Sequence, residues 1–189
     1  MNAELFSEKS RLRALMGGKI KATPPDVRQS LDRALCVRLQ GVLAGHSGKL
    51  ALAFSPLPDE PDIIPALRCW LDAGGRLALP VWSGERDLSF RMIGDIDRDL
   101  RPGRAGILEP APCLAEAETG CPAVALTPGR AFSETRQRLG RGAGCYDHLF
   151  FRRKLIKIGV CYEFQIFPDL PCGDHDVSMD LVVTPERVV

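Results

Sequence analysis

Short apolar segments alternate with helical patterns along this chain, and this alternation limits the folds available to it. Helical periodicity covers residues 3–17, 23–44, 62–73 and 144–153. The apolar segments have the length of buried strands and are residues 49–54, 76–82, 123–127, 155–162 and 181–184. Strands that alternate with helices usually pair in parallel, with helices on both faces of the sheet. The sequence therefore predicts an α/β fold, a three-layer α/β/α arrangement with a mostly parallel sheet, as a single domain of residues 1–189.

The remaining segments are expected to be an edge strand and loops. Residues 88–93 alternate polar and apolar side chains, as an edge strand or hairpin arm does, whereas residues 94–121 have no regular pattern. Loops at 55–61, 128–144 and 163–176 each follow a predicted strand. Because ligands of parallel sheets bind beyond the carboxyl ends of the strands, we expect these loops to converge on one cleft.

Composition argues against several functional classes. The formal net charge is +1, so neither sign dominates, which argues against a general nucleic-acid-binding or membrane-surface protein. No apolar run approaches transmembrane length. The seven cysteines are odd in number, none has C-x-x-C spacing, and no secretory signal is expected before them. These features favour reduced cysteines in a cytoplasmic protein.

The strongest functional signal lies within residues 128–147. Gly140, Gly142 and Gly144 occupy alternate positions, with Arg138 and Arg141 among them. Glycine lets backbone N–H groups approach an anion closely, and arginine adds donors that suit phosphate. The pattern predicts a polyphosphate site beside a helix N-terminus. The alternative is a glycine-rich turn with solvent-exposed arginines, since the segment is neither a P-loop nor a dinucleotide-binding fingerprint.

Several charged residues have both an ordinary and a functional interpretation. Asp147 lies in the first turn of a predicted helix, where it either stabilises the helix dipole or binds Mg²⁺. Asp176 precedes the last strand and has the position of a turn residue. Glu60 is either an exposed carboxylate or an acceptor for a heterocycle with N–H donors. Lys9 and Arg13, one turn apart, are solvated unless the first helix docks near the cleft, where they would bind phosphate.

Cys145 and His148 form a weaker alternative to the phosphate site. Cys145 follows the last loop glycine near a helix start, where a thiolate is stabilised. The i, i+3 spacing of a helix would bring His148 close enough to act as its base.

The order of motifs resembles the 5-formyltetrahydrofolate cyclo-ligase family. The resemblance rests first on Pro128-Gly-x-Ala-Phe132 followed by Arg138-Leu-Gly-Arg-Gly-x-Gly-x-Tyr-Asp147. It extends over nearly the whole chain through shorter matches. These are Lys9-x-x-x-Arg13, Asp59-Glu60, Gly74-Gly75 through Pro80, Gly106-Ile-Leu-Glu-Pro110, Gln165, Asp176, Asp180 and Thr184.

The resemblance implies a fold, a reaction and a set of partners. The fold would be Rossmann-like. The reaction would use ATP and Mg²⁺ to convert 5-formyltetrahydrofolate into 5,10-methenyltetrahydrofolate, ADP and phosphate. The partner would be a reduced folate, a small molecule, rather than nucleic acid or a membrane, and the protein would act as a monomer or weak homodimer.

The resemblance also assigns residues to roles. The metal ligands would be Asp147 and Asp176, and the catalytic residues Arg138, Arg141 and Tyr146. The folate site would be lined by Ser55, Glu60, Arg141 and Cys145. The residues that bind ATP would be Lys9, Arg13, Arg138, Leu139, Gly140, Arg141, Gly142, Ala143, Gly144, Cys145 and Tyr146.

This chain departs from the family pattern at several positions. Ser133 and Arg136 stand where the family usually has aspartate and glycine, and Ala143 where it has glycine or lysine. Cys145 replaces a tyrosine, which removes a stacking surface from the folate side, and Ala123 stands where an aspartate is usual. Two hypotheses follow: an active cyclo-ligase with a modified folate pocket, or a repurposed relative. The repurposed relative would bind nucleotide or folate without turnover, or act on another small substrate.

Overall fold

A six-stranded sheet forms the centre of the computed structural model, which describes residues 3–82, 87–103, 107–118, 123–173 and 176–189. The helices are α1 (Ala3–Ala22), α2 (Pro25–Ala44), α3 (Ile64–Asp72), α4 (Ile96–Asp99) and α5 (Cys145–Arg152). The strands are β1 (Leu50–Leu52), β2 (Arg76–Trp82), β3 (Leu88–Ile93), β4 (Leu100–Pro102), β5 (Leu108–Pro110), β6 (Ala123–Pro128), β7 (Ala131–Ser133), β8 (Arg138–Leu139), β9 (Ile156–Val160), β10 (Ile166–Phe167) and β11 (Leu181–Val183). In these ranges no helix is long and apolar enough to span a membrane.

The main sheet is mostly parallel, as the alternation of strands and helices predicts. Its strand order is β11-β9-β6-β1-β2-β3. The strands from β11 to β2 pair in parallel, and β3 pairs antiparallel with β2 at the edge. The expected hairpin arm at residues 88–93 is therefore confirmed.

Apolar clusters cover both faces of the main sheet. Successive side chains of a strand point to opposite faces, so each strand contributes to both clusters. Ala51 faces the core formed by α2 and α3, where Leu35, Leu39 and Leu67 are fully buried. Leu50 and Leu52 face the opposite core, which contains residues of α5 and β7. The three-layer prediction is thus confirmed.

Two segments expected to be irregular contain short strands. The stretch after β3 holds α4 and the antiparallel pair β4–β5. The loop predicted at residues 128–144 holds β7 and β8, which form a three-stranded sheet with β10. Strands of two or three residues carry too few side chains for a periodic pattern, and the pairing that stabilises them is set by the folded structure. The sequence prediction was wrong here for that reason.

Helix α1 is longer than predicted and packs on the small sheet. Its periodicity was expected to end near residue 17, but it continues to Ala22. Met16 and Leu12 pack against a cluster that includes Leu139 and Leu170. This packing brings the charged face of α1 to the carboxyl edge of the main sheet.

The turn between β7 and β8 explains two departures from the family pattern. Arg136 has a left-handed backbone conformation, with φ of 64°, and its N–H donates to the carbonyl of Ser133 at 2.8 Å. The Ser133 hydroxyl accepts from the N–H of Gln137 at 3.1 Å. A serine side chain can form such a turn bond in place of an aspartate. The hydrogen bonds of the turn are therefore formed. The left-handed backbone of Arg136 still costs conformational free energy.

We expect Arg136→Gly to be more stable than Arg136→Ala by about 1 kcal/mol, because only glycine adopts this conformation without strain. Both variants lose the bond from the Arg136 guanidinium to the Asp180 carbonyl, so the comparison isolates the backbone. Urea unfolding measures the difference. The control is Arg33, which is exposed on α2: there alanine should exceed glycine in stability by about 1 kcal/mol. A less stable glycine variant at position 136 would contradict the interpretation.

Candidate active site

Three loops and one helix meet at the carboxyl edge of the main sheet. Asp59, after β1, contacts Arg130 and Arg141, after β6. Gln165, after β9, donates to the carbonyls of Gly129 and Arg130 at 3.0 and 3.1 Å. The predicted convergence of these loops is therefore present.

The glycine segment between β8 and α5 requires glycine at specific positions. Gly142 and Gly144 have φ of +113° and +74°, values that side chains disfavour. A Cβ at Gly140 would lie 2.6 Å from Arg138 Nη1. Gly144 precedes α5, and no side chain caps the helix. The N–H groups in the first turn of α5 have no partner within the helix. They lie next to the glycine segment, where the sequence predicts a phosphate site.

Arg138 is the buried cation of the site, with a side chain only 3% exposed. Its Nη2 donates to both carboxylate oxygens of Asp147 at 3.0 Å, and its guanidinium lies 5.5 Å from the centre of the Tyr146 ring. Within the described ranges, its buried Nε has no hydrogen-bond partner. A buried donor without a partner is costly, so the ion pair with Asp147 is the contact that offsets burial of this guanidinium.

Helix α1 contributes Lys9 and Arg13 to the same edge. Lys9 is buried and its Nζ contacts Asp176 Oδ2, which also accepts the N–H of Gly173 at 2.7 Å. Arg13 Nε donates to the carbonyl of Gly140 at 2.9 Å. The condition that the sequence set for these cations, docking of the first helix beside the cleft, is met.

Asp59 and Glu60 are adjacent carboxylates whose pKa values are shifted in opposite directions. Glu60 is 6% exposed; its Oε2 accepts the N–H of Leu57 at 3.0 Å, and its Oε1 lies 3.4 Å from Arg141 Nη1. Burial raises the pKa of Glu60, and the bond from Leu57 and the charge of Arg141 only partly oppose it. Burial also acts to raise the pKa of Asp59, but hydrogen bonds from Arg141 and Arg130 outweigh it and lower that pKa.

The remaining predicted residues lie around these groups. Ser55 is buried in the same loop as Glu60. Cys145 is half-buried at the first position of α5, and Ala143 is exposed. Burial raises the pKa of Tyr146, and the negative charge of Glu60 adds to the effect. The Leu139 side chain is packed in the core of the small sheet, so the backbone is the part of Leu139 that can face a ligand.

The predicted metal ligands are each held by a cation. Arg138 holds Asp147, and Lys9 holds Asp176. No group of three or more histidine, cysteine or carboxylate side chains that could hold a metal occurs among the residues that the structure describes. Any Mg²⁺ at these two carboxylates would therefore need oxygen ligands from a bound substrate or water.

The structure adds two residues that the sequence did not assign. Arg130 and Asp59 form an ion pair of 2.6 Å; Asp59 was noted only as a motif residue, and no local pattern shows its partner.

His148 has a carboxylate neighbour, because its Nε2 lies 2.9 Å from Asp87 Oδ1. A carboxylate can orient a histidine that acts as a base, so this contact does not decide between the phosphate site and the cysteine–histidine alternative, which stays a prediction.

Comparisons with known proteins agree with the residue pattern. The 5-formyltetrahydrofolate cyclo-ligase family model matches residues 6–185. The cyclo-ligase of Mycolicibacterium smegmatis is 33% identical over 187 residues, covering 95% of this chain and 94% of the relative. That of Escherichia coli K12 is 37% identical over 177 residues, covering 89% and 95%. The NMR structure of Aquifex aeolicus 5,10-methenyltetrahydrofolate synthetase superposes with a TM-score of 0.83 at 29% identity, covering 95% of this chain and 91% of that one. A family match over almost the whole chain, together with relatives above 30% identity at this coverage, establishes that the chain belongs to the 5-formyltetrahydrofolate cyclo-ligase family, a family of ligases.

Proposed function

We propose that the protein converts 5-formyltetrahydrofolate into 5,10-methenyltetrahydrofolate, using ATP and Mg²⁺ and releasing ADP and phosphate. The observation that carries the proposal is the meeting of Arg13 and the buried Arg138–Asp147 pair at the glycine segment before α5. The proposal treats residues 1–189 as one domain that acts in the cytoplasm on small molecules, as a monomer or weak homodimer.

The nucleotide would be held by the cations of α1 and the glycine segment. Arg13 and Arg138 lie against the segment that runs from Gly140 to Gly144, and Lys9 lies one turn before Arg13 on α1. Phosphate oxygens would accept hydrogen bonds from these cationic side chains and from the first N–H groups of α5. The donor set therefore fits a polyphosphate.

The magnesium ligands would be Asp147 and Asp176. Carboxylate oxygens are the ligands that Mg²⁺ prefers, and on nucleotides it commonly takes one or two of them together with phosphate oxygens and water. Both carboxylates lie against cations that the proposal assigns to phosphate binding. When bound, Mg-ATP supplies the phosphoryl group that activates the formyl oxygen as a leaving group.

The folate side would be built on Glu60. Its buried carboxylate can accept hydrogen bonds from a heterocycle that carries adjacent N–H donors, and Ser55 is buried in the same loop. Burial raises the pKa of Glu60, which disfavours its ionised form. A ligand that donates hydrogen bonds to the carboxylate would stabilise that form. The ring would rest near Cys145, where the family has a tyrosine.

The side chains of the site act by orientation and charge. Arg138 and Arg141 would stabilise negative charge that develops on transferred phosphoryl oxygens. The Tyr146 hydroxyl is protonated at neutral pH, and burial raises its pKa further, so it can serve as a hydrogen-bond donor. No residue needs to form a covalent bond with the substrate in this scheme, and positioning supplies the main part of the rate enhancement.

A turnover assay with purified protein, Mg-ATP and 5-formyltetrahydrofolate tests the proposal. We expect formation of the methenyl product with equimolar phosphate release. Arg13→Ala should raise the KM for ATP about tenfold, because a charge-assisted contact contributes about 1.5–3 kcal/mol. Arg11→Ala, exposed on the same helix, should leave the KM unchanged. Binding of ATP and folate without turnover would support the repurposed relative instead.

Replacing Glu60 by glutamine separates stability from binding. The folded-state pKa of Glu60 is raised above 4.5, so the folded protein holds this proton to higher pH than the unfolded chain. Ionisation therefore destabilises the wild type as pH rises above 4.5. We expect Glu60→Gln to be more stable than the wild type at pH 7 and to lose this advantage towards pH 4, as measured by thermal unfolding. Folate affinity should fall roughly tenfold to a hundredfold, from a lost charged hydrogen bond. An advantage that grows towards low pH would contradict the assignment.

Restoring the tyrosine of the family pattern tests the folate pocket directly. We expect Cys145→Tyr to bind 5-formyltetrahydrofolate more tightly, by up to about tenfold, since a stacked aromatic contact contributes about 0.5–1.5 kcal/mol. Titration calorimetry measures the affinity, and Cys145→Phe separates the ring from the hydroxyl. Unchanged or weaker binding would show that the surrounding pocket has diverged as well.

A further inference from the structure

Asp59 lies between two guanidinium groups that differ in exposure. Arg130 Nη2 contacts Asp59 Oδ2 at 2.6 Å, and these two side chains are 13% and 14% exposed. Arg141 Nη1 contacts Asp59 Oδ1 at 2.7 Å and is 39% exposed. Arg141 Nη1 also lies 3.4 Å from Glu60 Oε1. Two cations and two carboxylates thus form one group, which we call the Asp59 cluster.

Arg130 is the fixed member of the cluster. It lies between β6 and β7, its N–H donates to the Leu139 carbonyl at 2.7 Å, and its own carbonyl accepts from Gln165 Nε2 at 3.1 Å. Its side chain borders α1, where a Cβ at Gly17 would lie 3.8 Å from Nη1. Arg130 therefore presents its guanidinium from a firmly bonded turn.

Arg141 is the adjustable member of the cluster. It is flanked by Gly140 and by Gly142, whose φ is +113°, and its side chain is the most exposed of the four. Its proposed role takes it towards phosphate, whereas the structure holds it against Asp59 and Glu60. Asp59 is consequently the group that fixes where Arg141 lies.

The geometry points to Arg130 as a positioning residue for the folate side: by holding Asp59, it keeps Arg141 beside Glu60. This inference rests on the proposed function. The Arg130 Nη1 is buried without a hydrogen-bond partner in the described part of the chain, so the ion pair with Asp59 is the contact that compensates burial of this guanidinium. When Arg141 turns towards phosphate, Arg130 still neutralises Asp59, so the buried carboxylate is not left unpaired.

The charges around Asp59 agree with this role. The groups that face it are Arg130, Arg141 and the neighbouring Glu60. Burial works to raise the pKa of Asp59, and the two arginines together lower it. Asp59 is therefore ionised throughout the neutral range and serves as a permanent anchor for Arg141.

A double-mutant cycle between Arg130 and Asp59 tests the inference. We expect Arg130→Leu to raise the KM for 5-formyltetrahydrofolate about tenfold, equivalent to about 1.4 kcal/mol. The KM for ATP should change less than about threefold, because Lys9, Arg13 and Arg138 are the side chains proposed to hold the nucleotide. In an Asp59→Asn background the same substitution should have less than about a twofold effect, because the group through which Arg130 acts is gone. Arg130→Lys, which keeps the charge, should recover part of the loss.

Two further measurements distinguish a failure of the proposed reaction from a failure of the positioning role of Arg130. Carbon-detected NMR titration of Asp59 should show a higher pKa in Arg130→Leu than in the wild type, whether or not the protein turns over folate. Arg68→Leu, which removes an exposed ion pair with Asp97, controls for loss of an arginine and should leave both KM values unchanged.

The outcomes divide between the two hypotheses. A wild type without turnover overturns the proposed reaction, and folate affinities in the same cycle then decide the role of Arg130. Equal effects of Arg130→Leu with and without Asp59, or equal effects on ATP and folate, overturn the positioning role. An unchanged Asp59 pKa in Arg130→Leu overturns it as well.

Discussion

The ion pair between Arg138 and Asp147 joins the small sheet to α5, and the side of the site proposed to bind phosphate depends on it. Arg138 enters from β8 and is almost fully buried, so it needs a partner in place. Asp147 supplies that partner from the first turn of α5, where a carboxylate also favours the helix dipole. Asp147 therefore stabilises both α5 and the buried arginine, whereas its predicted role as an Mg²⁺ ligand stays a prediction.

The position of Arg138 depends in turn on how the small sheet is seated. The Phe132 ring of β7 is fully buried, and it occupies the space that a Cβ at Gly129 or Gly159 would need, at 2.7 and 2.5 Å. Glycine at these two positions lets the ring lie directly on the backbone of β9. The Pro128-Gly-x-Ala-Phe132 motif thus packs β7 closely against the main sheet. Because β8 pairs with β7, this packing also positions Arg138.

Sequence patterns could predict the parts of this architecture that repeat or that lie close in the chain. The parallel sheet follows from alternation, and Gly142 and Gly144 were recognisable because glycine has few other reasons to recur so densely. Arg130 and Asp59 are 71 positions apart in the chain. The residues around one of them contain no pattern that indicates the other as its partner. Ser133 departs from the family pattern, yet its hydroxyl accepts a hydrogen bond from the N–H of Gln137, as an aspartate carboxylate can. Such compensation depends on three-dimensional geometry that composition does not encode.

Asp59 and Glu60 illustrate how adjacent residues of one type acquire different tasks. Asp59 has two guanidinium partners and a lowered pKa, so its charge is independent of any ligand. Glu60 has one backbone donor and a more distant arginine, and burial raises its pKa. A heterocycle that donates hydrogen bonds would favour the ionised form of Glu60 and lower that pKa. Ligand binding and ionisation of Glu60 are therefore linked, so a ligand with N–H donors is bound more tightly as pH rises, whereas Asp59 keeps the neighbouring arginine in place at every pH in the neutral range.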